Sequence, residues 1–367
     1  MKEIAIKYKF NVIELENECK RKVFVPPYFE KSEGQIYENT SPDVYAAELE
    51  NVSIIGGSSD VIYKNIFMSG HFNESKDGRW DIRDNVVKAK FDNNVIVHIS
   101  KKRMETIDKG ILLTSSASQN YYHLVIETLS KLLYLDEYED WVEYPIIVDK
   151  KILDIPQYVE VLEAFNKHNR KIISIELNES VKVNKLIYIS PVVWMPLNVY
   201  DRYQLKKSDF MISDRMLMNV KMIGEELEIV PEYDKIFLSR LNVSNTRLVN
   251  ELAIRDLFAE NGFKIVKTEE MTFEEQIKCF KSAKVIVGSS GAALVNLVFC
   301  QPETLFVCIV SSKADFWLYS TMAYLIGLNC IFLDPEITKL TLYPAADELY
   351  LNEDYTRRFI DAISNGI

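Results

Sequence analysis

The chain has 367 residues, 48% hydrophobic and 26% charged, with a net charge of −11. This is ordinary for a soluble globular protein, and the length exceeds what one core usually serves, so two domains are expected. The acidic balance excludes a broad nucleic-acid footprint but leaves room for a small basic pocket.

The opening MKEIAIKYKF is interrupted by charge and lacks the apolar run of a signal peptide. No stretch approaches the ~18–20 apolar residues of a membrane span. Five scattered cysteines without a CxxC pair read as reduced thiols of a cytoplasmic protein.

Before residue 110 the chain is polar and rich in short β-like pieces such as NVVKAKF and NVIVHIS, which predicts a β-rich lead-in. In NYYHLVIETLSKLLYL, Tyr122, Val125, Ile126, Leu129 and Leu132 or Leu133 form an apolar stripe at helical spacing. His123 and Glu127, four apart, share the adjoining polar face. WVEYPIIVD reads as a strand, IPQYVEVLEAFNKHN as a helix with Pro156 in its first turn, and RKIISIEL as a strand. A helical stretch, QLKKSDFMISDRMLMNVKMIG, follows the boundary.

The C-terminal half is more regular. KIFLSR predicts a buried strand, and NELAIRDLFAENG a helix ended by Gly262. FKIVKTE is the next strand, and TFEEQIKCFKSA a helix with Thr272 and Glu275 as a capping box. KVIVG, a helix opened by Gly291, TLFVCIV, ADFWLYSTMAYLIG and NCIFLD continue the alternation. Strand and helix alternating over short connections predict a doubly wound parallel sheet.

Only 12 glycines occur, so Gly288 and Gly291 in VIVGSSGAALVN need a reason. At a strand-to-helix turn, glycines let the backbone approach an anion, beside unpaired helix amides. A tight turn without ligand is the plainer reading. A Walker loop is excluded because no Gly-Lys pair exists, and Gly288-Ser-Ser-Gly291 is not the dinucleotide fingerprint. Arg240 ends KIFLSR and Arg247 lies in the loop after it, where ligands of open α/β sheets bind. Arginines there fork onto phosphate oxygens, or else are a solvated surface pair or structural partners for Glu251.

The segments SRLNVSNTRLVNE and GFKIVKTEEMTFEEQIKCFKSAKVIVGSSGAALVNLVFCQPET, with NYYHLVIETLSKL upstream, resemble glycosyltransferase family 61 of the capsular-polysaccharide type. The resemblance implies an α/β, GT-B-like fold: two Rossmann-like doubly wound domains after the β-rich lead-in. The domains are expected at 1–200 (acceptor side) and 201–345 (nucleotide-sugar side), with a helix at 346–367 packing back across them. It also implies a nucleotide-sugar donor, inversion at the anomeric carbon and no metal. The sequence is in keeping: it contains no Asp-x-Asp pair, and its four histidines, His71, His98, His123 and His168, lack metal-ligand spacing.

On this basis Arg240, Arg247, Ser289, Ser290, Gly291, Ala292 and Asn296 are the expected donor contacts, Asn296 either reaching the ligand or bracing the loop. His123 and Glu127 are the expected catalytic pair, one the base and the other its orienter. Two departures stand out: Ser290 where the family usually has histidine, and Cys308 where it has an acid. Phe273 is a candidate for stacking on a nucleotide base, although aromatic core packing is the commoner fate.

The expected activity is transfer of a sugar from a nucleotide-diphosphate donor to a saccharide or lipid-linked oligosaccharide acceptor in surface polysaccharide synthesis. The expected site of action is cytoplasmic, with room for peripheral association at the inner face of the membrane and for a homo-oligomer. The rival readings are a non-catalytic glycan- or nucleotide-binding relative and another Rossmann-type enzyme acting on a phosphorylated metabolite.

Overall fold

The computed structural model describes residues 1–70, 86–91, 94–195, 206, 209–241, 247–341 and 346–366. The chain forms two units, Met1–Lys20 with Thr40–Tyr200, and Arg21–Asn39 with Asp201–Ile367. The expected boundary at 200/201 and His71 lie outside the described residues. Among the described residues no helix is long and apolar enough to cross a membrane.

The first unit is built on a mixed sheet. Its main elements are β1 (Val44–Ile55), β2 (Ile107–Leu113), β3 (Ile146–Asp149), α1 (Pro156–Phe165), β4 (Ile172–Ile175) and β5 (Glu179–Ile189). The strands lie in the order β4-β3-β2-β5-β1, continued by Val61–Tyr63 and Ile66–Met68. β4, β3, β2 and β5 run parallel, and β1 joins antiparallel to β5. All four residues of β3, IIVD, are buried, as expected of a parallel strand covered on both faces. Pro156 opens α1 at its first turn, where a missing N–H costs nothing. The β-rich lead-in is present, its core including Tyr45, Leu49, Ile54, Val61 and Met68.

The second unit holds a five-stranded sheet that is parallel throughout. In chain order its elements are α2 (Asp214–Lys221), β6 (Lys235–Leu238), α3 (Glu251–Glu260), β7 (Lys264–Val266), α4 (Phe273–Ser282), β8 (Val285–Ser289), β9 (Leu305–Ile309), α5 (Leu318–Leu325), β10 (Asn329–Leu333) and α6 (Glu353–Ser364). The strand order is β7-β6-β8-β9-β10. This mixed α/β architecture with parallel sheets is the expected class.

Local signals explain the boundaries. Thr272 and Glu275 close a reciprocal capping box on α4. Gly262 takes φ +82° just after α3, the left-handed geometry that glycine adopts without strain. α2 begins at Asp214, after a short strand at Met211–Ile212, because Ser213 Oγ accepts from Met216 N at 3.1 Å and caps it. α5 likewise starts at Leu318 rather than near Ala314.

Two expectations about domain membership change. Arg21–Asn39 belongs to the second unit, because Phe24 stacks on Tyr324 and exchanges hydrogen bonds with Ser320 and Thr321. The apolar face of α6, Tyr355, Phe359 and Ile360, lies in the second unit's own core. Its polar flank pairs Arg358 with Glu30 in a fork at 3.0 and 2.8 Å.

Candidate functional site

In the second unit the sheet order, counted along the chain, is 2-1-3-4-5. The strand order therefore reverses between β6 and β8. In open sheets of this order, ligands bind outside the carboxyl ends of the strands at such a switch point. Arg240 leaves β6, and Ser289, Ser290 and Gly291 leave β8, so the sequence places its candidate donor contacts at this switch point.

The two glycines do different work. Gly291 has φ 179° and ψ 163°, an extended backbone that any residue adopts. Its need is space: a Cβ built there falls on the Arg240 guanidinium. Gly288 sits inside β8 opposite Leu238 and Cys308, and a Cβ there would meet Leu238 Cβ at 3.1 Å. Gly288 thus serves strand packing, while Gly291 seats an arginine on the turn.

Arg240 is anchored at its backbone. Glu251, 2% exposed at the start of α3, accepts from Arg240 N at 2.5 Å and from Ser239 Oγ at 2.9 Å through one oxygen. Its other oxygen, Oε2, makes no hydrogen bond among the described residues. Burial lowers the pKa of Arg240, against the opposing charges of Tyr319, Glu251 and Glu269. Burial and the adjacent Arg240 charge together push Arg247 down to about 10. Arg247 Nε and Nη1 make no hydrogen bond among the described residues. Two half-buried guanidiniums thus stand close enough to oppose each other's charge.

The remaining candidates separate. Ser289 and Ser290 are buried, 7% and 3% exposed, and Ala292 is half-buried at the start of the following helix. That helix, Ala292–Phe299, is 3₁₀ rather than α. Asn296 is fully buried and donates Nδ2–H to Gln276 Oε1 at 2.8 Å, so of its two expected roles the structure displays the brace. Phe273 is 3% exposed and packs edge-on against Phe299, a core position and not a stacking platform. Cys308 is buried in β9, which pushes its thiol up despite the Arg247 charge. Tyr319 is 5% exposed and lies within electrostatic range of both arginines, with burial keeping its phenol neutral. No spacing in the sequence signals that.

In the first unit His123 and Glu127 lie on one helical stretch. It forms a π-turn over His123–Thr128 and then a 3₁₀ helix over Leu129–Tyr134. Single π-turns frequently mark functional sites. The expected apolar stripe is buried, with Tyr122 at 3% and Val125, Ile126 and Leu129 at 0% exposure. His123 Nδ1 lies 2.7 Å from Glu127 Oε2, and both side chains are half-buried. Burial pulls the His123 pKa down, but the Glu127 charge and hydrogen bond outweigh it and leave the value raised. Among the described residues no three His, Cys, Asp or Glu side chains are grouped closely enough to hold a metal ion.

The profile of the family described as Glycosyltransferase 61 matches residues 121–307. That is just over half the chain, from the His123–Glu127 stretch through β6 and the glycine turn to β9. The protein is a glycosyltransferase. It belongs to glycosyltransferase family 61. A search among curated proteins found no match.

Proposed function

We propose that the protein is an inverting, metal-independent glycosyltransferase of GT-B arrangement. It moves a sugar from a nucleotide-diphosphate donor to a saccharide or lipid-linked acceptor in the synthesis of surface polysaccharide. The observation that carries this reading is the pair of desolvated arginines at the switch point between β6 and β8. Arg240 is laid on Gly291, and among the described residues Arg247 Nε and Nη1 make no hydrogen bond. A sugar diphosphate supplies an anion, and arginine meets its oxygens in a planar fork.

In the transfer, the acceptor oxygen attacks the anomeric carbon from the face opposite the diphosphate. The bond from that carbon to the phosphate oxygen breaks, and its electron pair leaves on the nucleoside diphosphate. Arg240 and Arg247 stabilise the charge that gathers there, the role a divalent ion plays in metal-dependent relatives of such chemistry. The acceptor proton goes to the His123–Glu127 pair. The reaction is placed in the cytoplasm, with acceptors reached at the inner membrane surface. The net charge of −11 gives no attraction to anionic lipid, so contact there is local or through a partner.

A thermal-shift and calorimetric screen against nucleoside diphosphates and nucleotide sugars, with and without EDTA, tests the proposal. Stabilisation by one nucleotide that survives EDTA is expected. Loss of that stabilisation on adding EDTA would remove metal independence, and silence toward every nucleotide would remove the donor assignment.

A further inference from the structure

A segment from far upstream extends the second unit's sheet at its β10 edge. Tyr28 bridges Phe332 in parallel, with Phe332 N donating to Pro27 O and Phe29 N to Phe332 O, each at 2.9 Å. Phe332 stands opposite Cys308, Cys308 opposite Gly288, and Gly288 opposite Leu238. One row of paired residues therefore crosses the sheet from Tyr28 to Leu238, just before Arg240, and residues paired in this way share a face. Trp317, which precedes α5, packs edge-on against the Tyr28 ring at 6.5 Å between centroids, and Phe332 does so at 5.6 Å.

Tyr28 is 5% and Trp317 2% exposed. Tyr28 Oη and Trp317 Nε1 are sealed from solvent, yet neither makes a hydrogen bond among the described residues. Buried polar groups are nearly always paired, and an indole N–H can only donate, so what it faces must be an acceptor. Burial holds the Tyr28 phenol well above its ordinary range, with Cys308, Asp334 and Asp315 adding to the shift, so this hydroxyl also keeps a proton to donate. Cys308 lies within range of the Arg247 charge as well, which sets the two rings next to the arginines along the sheet. Neither ring has a face open for stacking on a nucleotide base, because Tyr28 is held edge-on between Trp317 and Phe332. An anion here would meet the Asp315 and Asp334 charges, whereas a hydroxylated neutral ring finds both donors and acceptors.

We infer that Tyr28 and Trp317 select the sugar of the donor: their O–H and N–H donate to oxygens of a neutral, hydroxylated sugar whose diphosphate lies on Arg240 and Arg247. The inference rests on the nucleotide-sugar reading proposed above. Both residues lie outside the stretch 121–307 that matches the family profile, so this wall is built from parts of the chain beyond the matched core. Neither residue takes part in bond making or breaking; they seat the ring.

Calorimetry on the full chain tests this with UDP and GDP beside UDP-glucose, UDP-galactose, UDP-N-acetylglucosamine, UDP-glucuronic acid and GDP-mannose. Tyr28→Phe is expected to weaken the best-bound nucleotide sugar by about 3- to 10-fold, the scale of one hydrogen bond, and to leave the matching nucleoside diphosphate unchanged. Trp317→Phe, which removes the other donor, should show the same split. Tyr28→Phe carries the test should the smaller ring at Trp317 fail to fold. A thermal melt without ligand supplies the second readout. Tm of Tyr28→Phe should equal or exceed that of the wild type, because a buried hydroxyl without a partner is removed.

Equal weakening of diphosphate and nucleotide sugar in Tyr28→Phe would put the contact on the nucleotide and overturn the inference, as would no weakening of either. A lowered Tm would mean that the hydroxyl is already bonded within the protein, and would overturn it too. Preference of the wild type for UDP-glucuronic acid over the neutral conjugates would overturn the neutral ring. A wild type that binds no nucleotide removes the proposed function, and this inference with it. Diphosphates that bind while Tyr28→Phe changes nothing remove the inference alone.

Discussion

Replacing Gly291 by alanine separates two reasons for a glycine. If the residue were needed for an unusual backbone, alanine would strain the turn. At φ 179° and ψ 163° it does not. The added methyl instead occupies the place of the Arg240 guanidinium, which must swing away, and relief at the end of a flexible side chain keeps the folding cost within about 1–3 kcal/mol. Loss of its charge-assisted hydrogen bonds to a diphosphate costs roughly 1.5–3 kcal/mol. At tenfold per 1.4 kcal/mol, that weakens Kd by about 10- to 150-fold. Calorimetry with the nucleoside diphosphate that stabilises the wild type measures it, beside a thermal melt. The double variant Arg240→Met with Gly291→Ala supplies the control, since the methyl has nothing further to displace once the guanidinium is gone. A folded Gly291→Ala that binds as tightly as wild type would refute the reasoning. So would an equal further loss in the Arg240→Met background.

Arg247→Met is expected to raise Tm by a few degrees while weakening nucleotide binding, because it removes a half-buried cation that desolvation and Arg240 both oppose; a lowered Tm would show that the guanidinium is compensated in the free protein. Gly288→Ala should act in the opposite sense, destabilising by about 1–3 kcal/mol through the 3.1 Å approach to Leu238 with nucleotide affinity nearly kept. Denaturant melts of Glu127→Gln against wild type probe the histidine pair. Its folded pKa is raised, so the stabilisation is fully present below the ordinary value of about 6.5 and is lost as pH rises through the folded value. The stability gap should therefore be widest near pH 6 and close toward pH 9; a gap that does not change with pH would mean that His123 gains no proton affinity from Glu127.

Much of the second unit is legible because its signals are local. Thr272 and Glu275 announce a helix start, Gly262 a helix end, and apolar runs such as Ile286 and Val287 a covered strand. α2 was harder to place, because its start is set by a single serine and not by the periodicity around it. The Arg21–Asn39 segment was harder still. Its unit is decided by Phe24 against Tyr324, partners 300 residues apart that no local pattern connects. The His123–Glu127 pair is legible from spacing four, but the π-turn that carries it is not.

The glycine turn shows how a residue can be rightly noticed and its reason misplaced. Read from the sequence, Gly291 is there so that helix amides can touch a phosphate directly. In the structure the space that it leaves is taken by a guanidinium arriving from the neighbouring strand. An anion at this switch point would therefore meet Arg240 on the turn, held by Glu251 at its backbone, with Arg247 as the second arm. That arrangement also bears on the two departures from the family pattern. Under the proposed function Ser290 need not bring a positive charge to the turn, since Arg240 lies on it and Arg247 stands near Arg240. Cys308, where the resemblance implies an acid, is a buried thiol within range of the Arg247 charge, and under the proposed function the donor diphosphate meets that charge. The same absence that makes Arg247 costly in the free protein makes it strong in the complex, which is why its removal should stabilise the one and weaken the other.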